Sequence, residues 1–95
     1  MPEVVTKIED APEVVVVWED SARGSFDWTY LSDVVPGIVE VTSYGRLIYQ
    51  DDKLIVVAPH CGDESPQVCG HMKIPQRAVV SIKRISVGEN YSLEG

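Results

Sequence analysis

Both cysteines and both histidines of the 95-residue chain fall in one stretch, HCGDESPQVCGH, between His60 and His71. Three chemistries use such residues. Zinc takes four nitrogen or sulfur ligands at about 2.0 to 2.3 Å, commonly delivered as pairs two to four residues apart. Cys69 and His71 have that spacing and would share one face of an extended strand, so Cys61, Cys69 and His71 form the candidate metal set. His60 and Cys61 are adjacent and would point to opposite faces of a strand, so only a turn beginning at Pro59 would bring both inward. A disulfide is the second candidate, if Cys61 and Cys69 face each other across a hairpin with Cα atoms about 4.4 to 6.8 Å apart. The third reading has no chemistry in it: Cys69 is a small buried strand residue and Cys61 a loop thiol.

Catalysis by cysteine needs a base beside the thiol, and both thiols have a histidine near in sequence. Triads, however, are normally assembled from distant segments. No Gly-x-Ser-x-Gly elbow, His-Glu-x-x-His helix, phosphate-binding loop or dinucleotide fingerprint is present. The acid pairs Glu19-Asp20 and Asp51-Asp52 sit at turns, where solvation accounts for them. The sequence is therefore read as non-enzymatic, with no cofactor.

A binding reading rests on other side chains. Trp28 and Tyr30 lie in a long irregular segment, where they either form a recognition surface or fold back over the end of the core. Together with Lys73 and Arg77 they are the candidate ligand-binding residues, and Lys83 and Arg84 could add to a local anion site. The net charge of −7 opposes general attraction to phosphate backbones and to anionic membranes. The charge is uneven: residues 1–45 carry −7, residues 46–85 carry +2, and the remainder −2. Such asymmetry suits head-to-tail contact between subunits, although two differently charged solvated faces would look the same. No apolar run reaches the 18 to 20 residues that span a bilayer, and the start is not that of a signal peptide. A cytoplasmic protein with reduced cysteines is expected.

The elements that must position these residues are short strands. Residues 1–12 read as a flexible N-terminal arm whose Val4, Val5 and Ile8 could dock on a neighbour. Residues 14–18, VVVVW, read as a strand buried on both faces. An irregular stretch from Ser21 to Gly37 follows, with Phe26, Trp28, Tyr30 and Leu31; some of these are expected to cover the core, and Ser32-Asp33 could begin one helical turn. Residues 38–49 form a second strand, with Gly45 marking a bulge or bend. Residues 54–58 are the third strand, joined to the second by a turn. The fourth is 67–74, Pro75-Gln76-Arg77 breaks the ladder, and 78–85 is the fifth. Residues 13–85 thus form one domain, and 86–95 a polar tail.

This layout, carried by Lys73-Ile74-Pro75-Gln76-Arg77-Ala78-Val79-Val80-Ser81-Ile82 after the long 21–37 segment, resembles the Src-homology-3 (SH3-like) and Sm-like small barrels. The resemblance implies an all-β, five-stranded small β-barrel with a long first loop and a one-turn 3-10 helix before the last strand. The chain departs from both in its ligand positions: the third strand lacks the tryptophan of peptide-binding Src-homology-3 domains, and Asp51-Asp52 and Pro75-Gln76-Arg77 stand where RNA-binding Sm-like proteins differ. Residues 14–85 also resemble short uncharacterised proteins encoded in tailed-bacteriophage and prophage genomes. The likeness lies in Val17-Trp18-Glu19-Asp20-Ser21, Phe26-Asp27-Trp28, Ser43-Tyr44-Gly45-Arg46-Leu47-Ile48, residues 54–59 and residues 70–75. It implies phage origin, an accessory role and a place in the host cytoplasm.

A core this small is marginal alone, and the fourth and fifth strands are expected to be edges that can extend a neighbour's sheet, so a homo-oligomer is expected. The leading function is a non-enzymatic binding or assembly module with a protein partner or a small anionic ligand. The runner-up is an oligomeric, nucleotide- or RNA-sequestering Sm-like protein; a zinc or redox module using Cys61 and Cys69 is third.

Overall fold

The computed structural model describes residues 3–21, 27–86 and 88. Seven strands form: β1 (Glu13–Asp20), β2 (Val39–Gln50), β3 (Leu54–Ala58), β4 (His60–Gly62), β5 (Gln67–Cys69), β6 (Met72–Pro75) and β7 (Val79–Arg84). Single 3-10 turns stand at Ile8–Asp10, Leu31–Asp33 and Gln76–Ala78. The protein is all-β, with an antiparallel five-stranded sheet in the order β6-β3-β2-β1-β7 and a separate two-stranded ribbon, β4-β5.

The sheet bends because β2 serves two partners. Its residues 39–46 pair with β1, and Arg46 onward pairs with β3. Gly45 lies at the changeover. A Cβ there would stand 2.6 Å from the Ala58 carbonyl oxygen and 2.9 Å from Val57 Cγ1, so only glycine permits the approach of β2 to β3. Three residues later the ladder slips at Ile48, which has no β3 partner. As in other bulges, the extra residue moves its neighbours between faces: Leu47 packs on one side of the sheet, Ile48 and Tyr49 on the other.

Two apolar clusters result. The first lies within the bend, where Val14, Val16 and Trp18 of β1 meet Ile55 and Val57 of β3 and Ile74 of β6, flanked by Val41, Leu47 and Val79. Trp18 keeps its polar edge satisfied by donating from Nε1 to Ser43 Oγ at 3.0 Å. On the reverse face Ile48, Val56 and Ala58 are covered by Ala11 and by Val5, Cys61 and Val68. The N-terminal segment reaches this face by hydrogen bonding. Val5 N–H donates to the carbonyl of Ile48, which the bulge leaves without a β3 partner, and Leu47 N–H donates to Pro12 O. Arg46 then ties the segment down: Nη1 donates to the carbonyls of Ile8 (3.2 Å) and Ala11 (2.8 Å), while Nη2 lies 3.4 Å from Glu13 Oε1. The residues read as an arm thus have Ile8 and Ala11 buried against their own chain.

Three expectations are corrected. The five strands do not close into a barrel: β6 and β7 are sheet edges, because the chain crosses between them through the Gln76–Ala78 turn rather than a pairing. Burial on both faces belongs to β3, not β1. In β1 only Val14, Val16 and Trp18 are buried, alternating with half-buried Val15 and Val17, whereas Ile55 to Ala58 are all buried. Finally, the expected 67–74 strand is two strands, since Gly70 takes φ +73°, a left-handed conformation that interrupts an extended chain.

Candidate interaction surface

The HCGDESPQVCGH stretch is a folded-over hairpin tip. β3 pairs with β6 through Val57↔Met72, and β4 pairs with β5 through His60↔Cys69, so one register runs through both pairs, interrupted at residues 58–59 and 70–71 around Pro59 and Gly70. Proline lacks the N–H the ladder needs and glycine supplies the turn. Beyond this kink the ribbon lies on the reverse face of β3. Opposed residues in an antiparallel pair share a face and neighbours alternate. His60 and Cys69 therefore share one face, while Cys61 and its partner Val68 share the other, the face that packs on Val56 and Ala58.

That register separates the sequence candidates. Cys61 is half-buried in the apolar contact and Cys69 is exposed; both thiols are free. The hairpin holds the pair close in sequence yet aims them apart, so it forms no bridge. His71 is exposed beyond Gly70. Among the described residues no three His, Cys, Asp or Glu side chains gather as a metal site.

Asp51 is a second candidate whose surroundings explain it. Its Oδ1 accepts from Lys53 N–H (2.8 Å) and Leu54 N–H (2.9 Å), and its Oδ2 accepts from the Tyr49 hydroxyl (2.7 Å). The Tyr49 bond first, then the two backbone donors, hold its carboxyl below the usual carboxylate range; the same hydrogen bond pushes the Tyr49 phenol up. Gln76 Nε2 donates to the Asp51 carbonyl at 3.0 Å and Gln76 N–H to Lys53 O at 2.8 Å. The turn is thereby anchored to the 3-10 turn before β7, a structural role.

An open depression of about 420 Å³ lies beside Tyr44, Arg46, Pro59, Cys61 and Asp63. Arg46 is its cation, but that guanidinium is already engaged by Glu13 and two carbonyls. The depression therefore has the residue types of an anion site with its donors spent on the fold.

The segment between β1 and β2 is different. Every residue from Asp27 to Ile38 is exposed. Trp28 is fully exposed (104%), Leu31 is 92% exposed and Val35 90%, with Tyr30, Val34 and Ile38 also open to solvent. Short-range hydrogen bonds shape the Leu31–Asp33 turn: Asp33 N–H donates to Tyr30 O at 2.8 Å and Val34 N–H to Leu31 O at 3.2 Å. Of the four residues among which core cover was expected, Trp28, Tyr30 and Leu31 are exposed and do not provide it, and Phe26 lies outside the described residues. Trp18 and Val79, paired between β1 and β7, belong to the first cluster at the root of this segment. A radius of gyration of 17.3 Å, against about 12 Å for a compact chain of this length, agrees with segments projecting from the sheet.

Lys73 and Arg77 are exposed on β6 and on the 3-10 turn. Neither they nor Trp28 and Tyr30 line the depressions on the protein surface around Arg46, Ile48 or Tyr44. The pairing Trp18↔Val79 does set the root of the β1–β2 arm next to the start of β7. Sequence reasoning missed Leu31, Val34, Val35 and Ile38 as surface residues. Their signal was an apolar run lacking strand alternation and broken by Pro36-Gly37.

No family model matches the chain, and the searches return no similar curated protein and no similar solved structure. No helix among the described residues is long and apolar enough to cross a membrane.

Proposed function

We propose that the chain is a non-enzymatic binding and assembly module that works as a homo-oligomer. The observation that carries this reading is the exposed arm. Contiguous exposed apolar surface beyond a few hundred Å² marks interaction sites in soluble proteins. Trp28 and Tyr30 each offer about 150 to 250 Å², a large share of the roughly 800 Å² that one partner gives to a standard interface. A small sheet with two unpaired edges gains by covering that surface in a neighbour.

The fold behind this function is read as SH3-like or Sm-like. Support comes from the strand order β7-β1-β2-β3-β6, the shared β2 and the 3-10 turn before the last strand. Phage origin and a place in the host cytoplasm rest on the sequence resemblance alone. A second reading, binding of nucleotide or RNA at subunit interfaces, is favoured by Lys73, Arg77, Lys83 and Arg84, which stand among residues 72–85 without an acid. The overall charge of −7 weighs against it.

Light scattering over a wide concentration range tests the leading reading. A mass that is a multiple of the 10.5 kDa chain is expected. A monomer at the highest concentration would overturn it. Absorbance near 260 nm in the purified protein, with a thermal shift on adding nucleotide, would favour the second reading instead.

A further inference from the structure

Two exposed patches of opposite charge stand on this chain. The arm carries Trp28, Tyr30, Leu31, Val34, Val35 and Ile38, and residues 28–40 hold two acids, Asp33 and Glu40, and no base. The β7 edge exposes Val80 and Ile82 beside Lys83 and Arg84, and residues 72–85 hold four bases and no acid. Val80 is the extra residue of a slip in the β1–β7 ladder, where Val17 faces Ser81 and Trp18 faces Val79.

We propose that the arm of one copy docks on the β7 edge of a second copy, in a head-to-tail contact that repeats from subunit to subunit. This rests on the homo-oligomer reading above and names its two surfaces. Like patches do not fit each other: arm on arm would set acids against acids, and edge on edge would set Lys83 and Arg84 against their copies, arrangements that like-charge repulsion opposes. Arm on edge joins apolar to apolar with opposite charges at the rim. Side chains carry the contact, since Pro36 has no N–H and breaks any continuous ladder that the arm could add to β7. Because the two patches differ, the contact is heterologous and either closes a ring or extends a filament.

Mixing tests the pairing directly. An arm variant, Leu31→Ser with Val35→Ser, keeps its β7 edge; an edge variant, Lys83→Glu with Arg84→Glu, keeps its arm. All four positions are exposed, and circular dichroism checks that both variants fold. Each alone should self-associate about 10- to 100-fold more weakly than wild type. Mixed in equal amounts, they should form a dimer capped at twice the chain mass, because one intact arm and one intact edge remain. Asp33→Lys combined with Lys83→Glu should associate more strongly than either single change. Wild-type assembly with unaffected variants, or with a mixture that stays monomeric, would overturn this contact and leave the homo-oligomer reading standing. A monomeric wild type would overturn both.

Discussion

β3 and the β1–β2 arm are both rich in large apolar side chains, yet Ile55 to Ala58 are buried and every residue from Asp27 to Ile38 is exposed. What separates them is backbone pairing. β3 lies between β2 and β6, so its amides are satisfied on both sides, and each sheet face has cover: the bend on one, the N-terminal segment and the folded-over ribbon on the other. In the arm, Pro36 removes a donor and Gly37 takes φ +148°, a conformation that side chains other than glycine's rarely adopt. A chain so interrupted does not extend a ladder, and its apolar residues are left exposed. Apolar content proposes burial; hydrogen-bonded neighbours decide where it happens.

Truncation in the two regions should give the largest contrast. Ile55→Ala opens a cavity in a closed cluster and should lower unfolding free energy by about 2 to 5 kcal/mol, a large share of the about 5 to 15 kcal/mol that a domain has. Leu31→Ala should change it by no more than about 0.5 kcal/mol in the dissociated monomer. Urea denaturation at low protein concentration measures both. Equal losses would mean that the arm packs on its own core, which would break the comparison.

A smaller effect belongs to the turn that supports β3. The Asp51 carboxyl is held below its ordinary value in the fold, so its contribution to stability is present above about pH 4 and lost as pH falls through the depressed folded value. Tyr49 is shifted the other way. Its contribution is complete below about pH 10 and lost as pH rises through the elevated folded value. Thermal melts against pH should therefore show an acid limb and an alkaline limb that both shrink in Asp51→Asn. Unchanged limbs would show that this hydrogen bond does not couple to folding.

Much of this was legible in the sequence. The strands at 14–18, 38–49, 54–58 and 78–85, the hairpin turn at Asp51, the bend at Gly45 and the break at Pro75 follow from local chemistry: apolar runs, polar residues between them, a glycine where strands approach, a proline without a donor; the 3-10 turn after Pro75 was implied by the small-barrel resemblance. The Ser32-Asp33 turn also appears, as Leu31–Asp33. Less legible was anything set by which elements end up side by side. VVVVW and LIVVA look alike as strings, and only sheet order assigns two-sided burial to the second. The open edges at β6 and β7 are those expected of the fourth and fifth strands; that they stay apart instead of closing a barrel was not legible. For the cysteines, sequence narrowed the question to whether Cys61 and Cys69 face each other; register answers it, because the pairing His60↔Cys69 places Cys61 on the other side. Trp28 and Tyr30 were named as recognition residues in the alternative to core cover, while the aliphatic half of the same surface went unread.

The central claim is that the arm is exposed in one chain and covered by another, and Trp28 reports on it. With Trp18→Phe in place, Trp28 is the sole tryptophan, and its emission can be followed with light-scattering mass as concentration rises. A shift to shorter wavelength in step with the gain in mass is predicted, as an exposed indole becomes buried. Emission that stays at its solvent-exposed position while mass increases would contradict the account.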